Sequence, residues 1–203
     1  MLKSREAGLE HQVCKAERRT MEAVTVLRSE HEGVIAVLNQ LERASAAIER
    51  GVPIGVDIFS DAEEFFVVFV DRCHHSKEEQ EVFPRLEGGA AGDLVLKLES
   101  AHEHGRELSR AYAAAVRGYT PGDVPSSTRL AAAARAYDAF LREHIDDESR
   151  ELFPVMELTM TADDAAMVEA FERIEEEEIG PGTHERLHHM IDDLPGRINA
   201  YID

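Results

Sequence analysis

Tryptophan is absent from this 203-residue sequence, and cysteine occurs only as Cys14 and Cys73. Two cysteines do not make the disulfide framework of a small secreted domain, so reduced thiols are expected. No apolar run approaches the roughly 20 residues that a membrane-spanning helix needs. The first ten residues carry Lys3, Arg5 and Glu6 and lack the apolar region of a signal peptide. We therefore expect a cytoplasmic protein without membrane attachment.

Positive charge is also scarce. The sequence has 22 Lys and Arg residues against 41 Asp and Glu residues, a formal net charge of -19. Such a surface repels nucleic-acid phosphates and anionic lipid headgroups, and no basic patch offsets it. Nucleic acid is therefore not an expected partner. Apolar residues make up 43% of the chain, which is normal for a globular protein and argues against wholesale disorder.

Proline and glycine divide the sequence into segments with apolar residues at alternating steps of three and four, the pattern of an amphipathic helix. No strand pattern competes. The spacing predicts four long helices over about 20–50, 57–86, 93–117 and 127–152. Short connections between helices of this length predict an all-α fold, an antiparallel up-down four-helix bundle with a C-terminal helical extension.

The predicted organisation has three parts. Residues 1–19 are polar and are expected to be a tail or an extra helix. Residues 20–156 form the bundle. Residues 157–203 form an extension of two helices packed on the bundle, over about 161–179 and 183–201. The segment Thr161-Ala162-Asp163-Asp164 predicts a helix start with a capping acid, and Pro195 predicts a kink.

Histidine and glutamate interrupt the apolar stripes on all four bundle helices. The second stripe, for example, reads Val67, Val70, His74, Glu78 and Val82. The spacing His-x-x-x-Glu places both side chains one turn apart on the same face. Core-facing positions of this kind are occupied by His31, His74, Glu78, His102, His144 and Glu148.

These positions form an internal repeat. His31 precedes His74 by 43 residues, and His102 precedes His144 by 42 residues. Each half therefore supplies one histidine and then a His-x-x-x-Glu pair from two successive helices. Two such halves packed together direct six side chains towards the bundle axis.

Each part of this pattern has a plainer reading. A single histidine on an apolar stripe is usually a hydrogen-bonded core residue, and a single His-x-x-x-Glu is usually a surface pair. Burial of two unpaired carboxylates, however, costs several kcal/mol each. Two divalent cations between the imidazoles and the carboxylates remove that cost. Imidazole and carboxylate suit Fe, Mn, Zn and Co alike, and the lack of a cysteine ligand disfavours a structural zinc site.

The ordered set of His31, His74-x-x-x-Glu78, His102 and His144-x-x-x-Glu148 resembles the hemerythrin-like family of HHE cation-binding domains. Phe-Pro follows each Glu at 83–84 and 153–154, and the resemblance covers about residues 20–155. It implies a non-haem centre of two iron ions, carboxylate-bridged and carrying a bridging oxo or hydroxo group. The four histidines would be terminal ligands, and the two glutamates would bridge the irons.

Two departures separate this chain from the oxygen-carrying members of that family. Those proteins have a fifth histidine where this chain has Arg106, and they end with His-x-x-x-x-Asp where this chain has His144-x-x-x-Glu148. The sequence resembles instead the bacterial subgroup with four His and two Glu. Relatives in that subgroup are associated with responses to oxygen, peroxide or nitric oxide.

The resemblance implies a protein that binds or reduces a small oxidant (O2, peroxide or NO) in an oxidative or nitrosative stress response. A module that binds or senses iron, O2 or NO without turnover is the alternative, and a bundle without metal is a third reading. The sequence assigns no catalytic residue. The expected partner is a small diatomic or peroxide ligand, an unidentified protein partner stays open, and so does the choice between monomer and dimer.

Five further side chains are weaker candidates for an extra ligand or for a residue that supports the ligands. His75 lies about 100° round the helix from His74. Tyr112 and Tyr137 on the core stripes could also be packing residues. The extension, which contains Glu175 and His184, could either cover the open end of the bundle or form a solvated acidic helix. The five are His75, Tyr112, Tyr137, Glu175 and His184.

Overall fold

The computed structural model describes residues 20–203, and the predicted tail at 1–19 lies outside that range. The described chain is helical, without strands, and contains six helices. The first is α1 (Glu22–Glu49), the second is α2 (56–86), the third is α3 (Gly92–Arg117) and the fourth is α4 (124–159). These four pack as the predicted antiparallel bundle. No helix of the described residues is both long enough and apolar enough to cross a membrane.

Helices α2 and α4 each contain π-helical turns at the predicted ligand positions. In α2 these turns are Phe66–His75 and Glu78–Val82, and in α4 the turn is Glu148–Leu152. A π-helical hydrogen bond reaches one residue further than an α-helical one, so each turn holds more residues. The wider turn changes which residues face inward. Val67 was predicted to lie on the core stripe but is exposed, whereas Phe66 is fully buried.

The fourth helix was predicted to end at about residue 152, just before Pro154, and this predicted end was wrong. The helix continues beyond the π turn to Thr159. Proline in a helix interior removes an α-helical hydrogen bond, but the π turn Glu148–Leu152 directly before Pro154 already interrupts that hydrogen-bond ladder. The same arrangement recurs at Pro84, where Phe83–Leu86 follows the π turn of α2.

The extension consists of α5 (Asp164–Glu178) and α6 (Thr183–Ile202), and both helices pack against α1 and α2. The predicted capping acid caps a different helix. Asp163 precedes α5 without a side-chain capping bond, while the Asp164 carboxylate accepts hydrogen bonds from the backbone N–H groups of Glu22 and Ala23, both at 2.9 Å. The start of α5 therefore caps the start of α1.

The buried apolar side chains of the bundle form two clusters rather than one. One cluster includes Phe59, Phe66 and Tyr137, and the other includes Leu27 and Phe153. Along each of the four bundle helices, the histidine and glutamate positions fall between the parts belonging to the two clusters. A polar layer thus crosses the bundle with apolar packing on both sides.

Candidate metal centre

The polar layer brings together all six side chains that the sequence singled out. The carboxylates of Glu78 and Glu148 are fully buried, as is His102. The other three imidazoles are at most 5% exposed. One pair of rings, His31 and His74, places its Nε2 atoms 3.0 Å apart. Four helices thus contribute to one buried cluster, as the internal repeat predicted.

The cluster divides into two overlapping sets that share both glutamates. The first set is formed by His31 and His74 with Glu78 and Glu148. The second is formed by His102 and His144 with the same two glutamates. Within each set, one nitrogen or oxygen atom from every residue lies within 4.8 Å of the others. Two shared carboxylates between two pairs of imidazoles suit a pair of cations bridged by those carboxylates.

Glu148 makes the shortest links across the layer. Its Oε2 lies 3.0 Å from His31 Nε2, and its Oε1 lies 2.9 Å from His144 Nε2 and 3.6 Å from His102 Nε2. Glu78 Oε2 lies 3.3 Å from the same His102 nitrogen. Burial alone would raise the pKa of Glu148, but His144 and the other imidazoles hold it well below its usual range. The carboxylate is therefore ionised in the interior.

Carboxylates outside the layer orient two of the imidazoles. His74 Nδ1 donates to Glu30 Oε2 at 2.8 Å, and His102 Nδ1 donates to Glu79 Oε1 at 2.7 Å. Each bond leaves the lone pair of Nε2 directed into the layer. Metal-ligating histidines commonly make this bond, which fixes the tautomer and raises the basicity of the ring.

Burial by itself would raise the pKa of both orienting carboxylates. The hydrogen bond from His74 and the Lys77 ammonium instead lower the pKa of Glu30 to about 2. The hydrogen bonds from His102 and Arg106 lower the pKa of Glu79. Both carboxylates are therefore charged acceptors at neutral pH.

The fit of a cation can be judged from atoms that lack hydrogen bonds. Within residues 20–203, the only buried side-chain nitrogen or oxygen atom outside this layer without such a partner is Ser45 Oγ. The others include both oxygens of Glu78 and of Glu148, although imidazole nitrogens lie close to them. Buried carboxylates normally receive several hydrogen bonds, and their absence is costly. Cations among these atoms would replace the missing bonds, so the donor set fits a metal centre.

His75, a weaker candidate, lies inside the same layer. It is 3% exposed, its ring stacks on the ring of His102 with centroids 3.9 Å apart, and it groups with His102 and His144 as a possible ligand triad. Neither of its ring nitrogens has a hydrogen-bond partner. Its neighbour Asp71 Oδ1 is 3.7 Å from Nδ1, too far for a good hydrogen bond. The π turn explains how two successive residues, His74 and His75, both face inward.

The two tyrosines are not part of the layer, and their proposed role is corrected. The Tyr112 hydroxyl donates to the Phe59 carbonyl oxygen at 3.0 Å. Phe59 precedes His74 by fifteen residues in α2, roughly 20 Å along the helix. Tyr137 packs edge-on against Phe66, with centroids 4.9 Å apart. Both rings belong to the apolar cluster beyond the layer, where their bulk fills the bundle.

Glu175 and His184 do not reach the six-residue cluster, which corrects the idea that the extension lends it a ligand. Glu175 Oε1 lies 2.7 Å from His184 Nδ1, and its Oε2 accepts from Lys77 Nζ at 3.2 Å. Glu175 also lies near Glu30 and Cys73, a grouping that could in principle hold a cation. The Lys77 ammonium already lies between the two carboxylates, so no second cation is needed there.

Cys73 is also buried, and its thiol is not activated. Burial raises the pKa of Cys73 to about 12, so the thiol stays protonated. The buried position, next in sequence to His74, gives no support to a redox role. Cys14 lies outside the described residues.

A surface pocket of about 370 Å³ opens beside the layer between α1 and α4. His31 lies at its inner wall, and the Nδ1 atom of that ring has no hydrogen-bond partner. The remaining wall is formed by Arg28, Glu32, Ile35, Ile145 and Ser149. This pocket therefore reaches the buried cluster at the His31 ring.

Sequence reasoning missed several supporting residues. Glu30 and Glu79 directly adjoin His31 and Glu78 in the sequence, yet each orients a histidine on a neighbouring helix. Arg106 stands where oxygen carriers have a fifth histidine, and it binds Glu79 and Asp71 at 2.6 and 2.7 Å. For Glu30 and Glu79 the signal was a charged residue beside a predicted ligand. Only the packing between helices shows which ring each residue serves.

Comparison with known proteins agrees with this geometry. The chain is similar to uncharacterised proteins of Mycobacterium bovis and Mycobacterium tuberculosis, 29% identical over 135 residues, or 66% of this chain and 53% of each relative. The chain thus spans about half the length of the curated relatives it matches. No solved structure matches it. A family model described as the hemerythrin HHE cation binding domain matches residues 22–156, which contain the whole buried layer. The chain therefore belongs to the hemerythrin HHE cation-binding family.

Proposed function

We propose that this protein holds two non-haem iron ions in the buried layer and uses them to bind or reduce a small oxidant. Glu78 and Glu148 would bridge the two ions. His31 and His74 would hold one ion, and His102 and His144 would hold the other. The observation that carries the proposal is the pair of four-residue sets sharing two fully buried carboxylates that receive no hydrogen bonds.

His75 would add a fifth imidazole to this set. Its unpartnered ring nitrogens lie among His102 and His144, so its donor would serve the second ion. The two ions would then have different numbers of protein ligands. The ion held by His31 and His74 would have the fewer imidazole ligands, and His31 lines the surface pocket. This asymmetry supports ligand binding at one ion of the pair.

The proposed chemistry assigns distinct tasks to the chain. Bound iron would supply electron transfer to oxygen, peroxide or nitric oxide. The protein fixes two of the imidazoles through Glu30 and Glu79, and Glu78 and Glu148 supply the shared carboxylates. The apolar clusters on both sides exclude bulk water from the layer.

The proposal is tested on protein purified without a His-tag and loaded anaerobically with Fe(II). We expect two irons per chain and an optical change on addition of peroxide, NO or O2. Consumption of many equivalents would indicate an enzyme, and a stoichiometric change alone would indicate a binding or sensing module.

His102→Ala and His104→Ala are a matched pair for this test, since both lie on α3 and only His102 is buried. The first variant should lose iron and reactivity, and the second should keep both. Wild-type protein that binds no iron, or that responds to none of the three oxidants, would contradict the proposal.

A further inference from the structure

Lys77 is a buried cation held between two acids from different helices. Its side chain is 2% exposed, and its ammonium donates to Glu30 Oε1 of α1 and, at 3.2 Å, to Glu175 Oε2 of α5. Burial by itself would lower the pKa of Lys77, but Glu30 and Glu175 raise it. The ammonium therefore stays protonated and interacts with both carboxylates.

Glu30 and Glu175 each use their second oxygen for a histidine. Glu30 Oε2 accepts from His74 Nδ1 at 2.8 Å, on the side of the metal layer. Glu175 Oε1 lies 2.7 Å from His184 Nδ1, on the side of the solvent. Hydrogen bonds thus connect Glu175 of α5 through Lys77 and Glu30 to His74 in the metal layer, and His184 of α6 contacts the outer end of this chain. Its outer end opens on a small surface pocket lined in part by His184 and His188.

Two members of this chain belong to the extension. The matched family domain ends at residue 156, so Glu175 and His184 lie beyond it. We propose that Glu175 is a positioning residue for the metal ligand His74, acting through Lys77 and Glu30, and that the extension thereby sets the affinity and potential of the centre. This inference rests on the proposed function, since it needs a metal ion at His74.

The expected direction of the change in metal affinity follows from the interaction of the Lys77 ammonium with both Glu30 and Glu175. Without the Glu175 carboxylate, the whole ammonium charge would be directed at Glu30. Glu30 would then accept less strongly from the N–H of His74, and the ring would become a poorer donor to the metal. A carboxylate bonded to a ligand histidine raises its basicity, and loss of such partners weakens metal binding. A weaker nitrogen donor also stabilises ferric iron less than a stronger one does.

The test compares Glu175→Gln with Glu64→Gln in the full-length protein. Glu64 is the matched control because it also joins the extension to α2, through a 2.7 Å ion pair with Arg186 of α6, but lies outside the chain of contacts. For each variant, Fe(II) affinity is measured by competition with a chelator, and the reduction potential is measured by optical titration. Circular dichroism of the metal-free proteins shows that both variants fold.

We expect Glu175→Gln to bind Fe(II) about tenfold more weakly and to have a more positive potential. Glu64→Gln should match the wild-type protein in both measurements. Equal values for Glu175→Gln and wild type would overturn the inference, and so would equal changes in both variants, because docking of the extension would then explain them. If the wild-type protein binds no Fe(II), the proposed function itself is contradicted, and this inference is contradicted with it.

Discussion

At the scale of single residues, the centre depends on pairs of neighbours in the sequence that have different tasks. Glu30 orients His74 while His31 faces the layer, and Glu79 orients His102 while Glu78 faces it. A single α-helical face cannot present two consecutive residues equally, because they lie about 100° apart. Glu30 and Glu79 therefore each reach an imidazole on the adjacent helix, and the packing of the bundle fixes the orientation of these ligands.

His75 is the residue whose role a single substitution tests best. His75→Phe keeps a buried planar ring that can stack on His102 but removes both ring nitrogens. We expect one of the two irons to be lost faster than the other during dialysis against a chelator, because only the ion at His102 and His144 would lose a donor. Iron counts against time measure this loss.

The control for this substitution is His104→Phe, which changes a ring whose side chain is 57% exposed and leaves the layer intact. It should release iron as the wild-type protein does. Equal retention of both irons in His75→Phe would show that His75 is a packing residue and not a donor.

At the scale of helices, α5 does more than cover the bundle, because Asp164 caps the first N–H groups of α1. The first four N–H groups of a helix lack partners within the helix, and a carboxylate there also interacts favourably with the helix dipole. Met21, just before α1, is buried in the nearby apolar cluster, so this end of the helix is held in place.

Asp164→Ala should therefore destabilise the fold by about 1 kcal/mol, the usual cost of removing a capping side chain. Urea denaturation of the metal-free protein measures the free energy of unfolding. The neighbouring substitution Asp163→Ala is the control, because Asp163 makes no capping bond. Equal effects of the two substitutions would show that the bonds to Glu22 and Ala23 contribute nothing.

Much of this arrangement could be predicted from the sequence. Helical periodicity, the punctuation by Pro and Gly, and the repeat of His and His-x-x-x-Glu predicted the bundle and the six residues that meet in its layer. These features are local or periodic, so a single chain displays them. The π turns are not predictable in this way, and they caused the errors at Val67 and at the end of α4.

The supporting contacts could not be predicted, because they depend on how helices are placed beside each other. Glu30, Glu79 and Lys77 look like ordinary surface charges in the sequence. Their contacts join α1 to α2, α2 to α3, and α2 to α5. The periodicity within one helix does not show which residues meet between helices.

At the scale of the whole molecule, a layer of imidazoles and carboxylates interrupts the apolar interior of a protein with a net charge of -19. Folding that layer without cations would leave two fully buried carboxylates without hydrogen bonds, at a cost of several kcal/mol. The rest of the bundle stabilises itself through its two apolar clusters. Metal binding and folding should therefore be linked across this layer.

The most direct test of the account is an anomalous X-ray diffraction measurement at the iron absorption edge on crystals of the iron-loaded protein. The account predicts two peaks per chain, both enclosed by the four histidines and two glutamates of the layer. A map with no peak in the layer, or with peaks only at surface histidines such as His184 and His188, would contradict it.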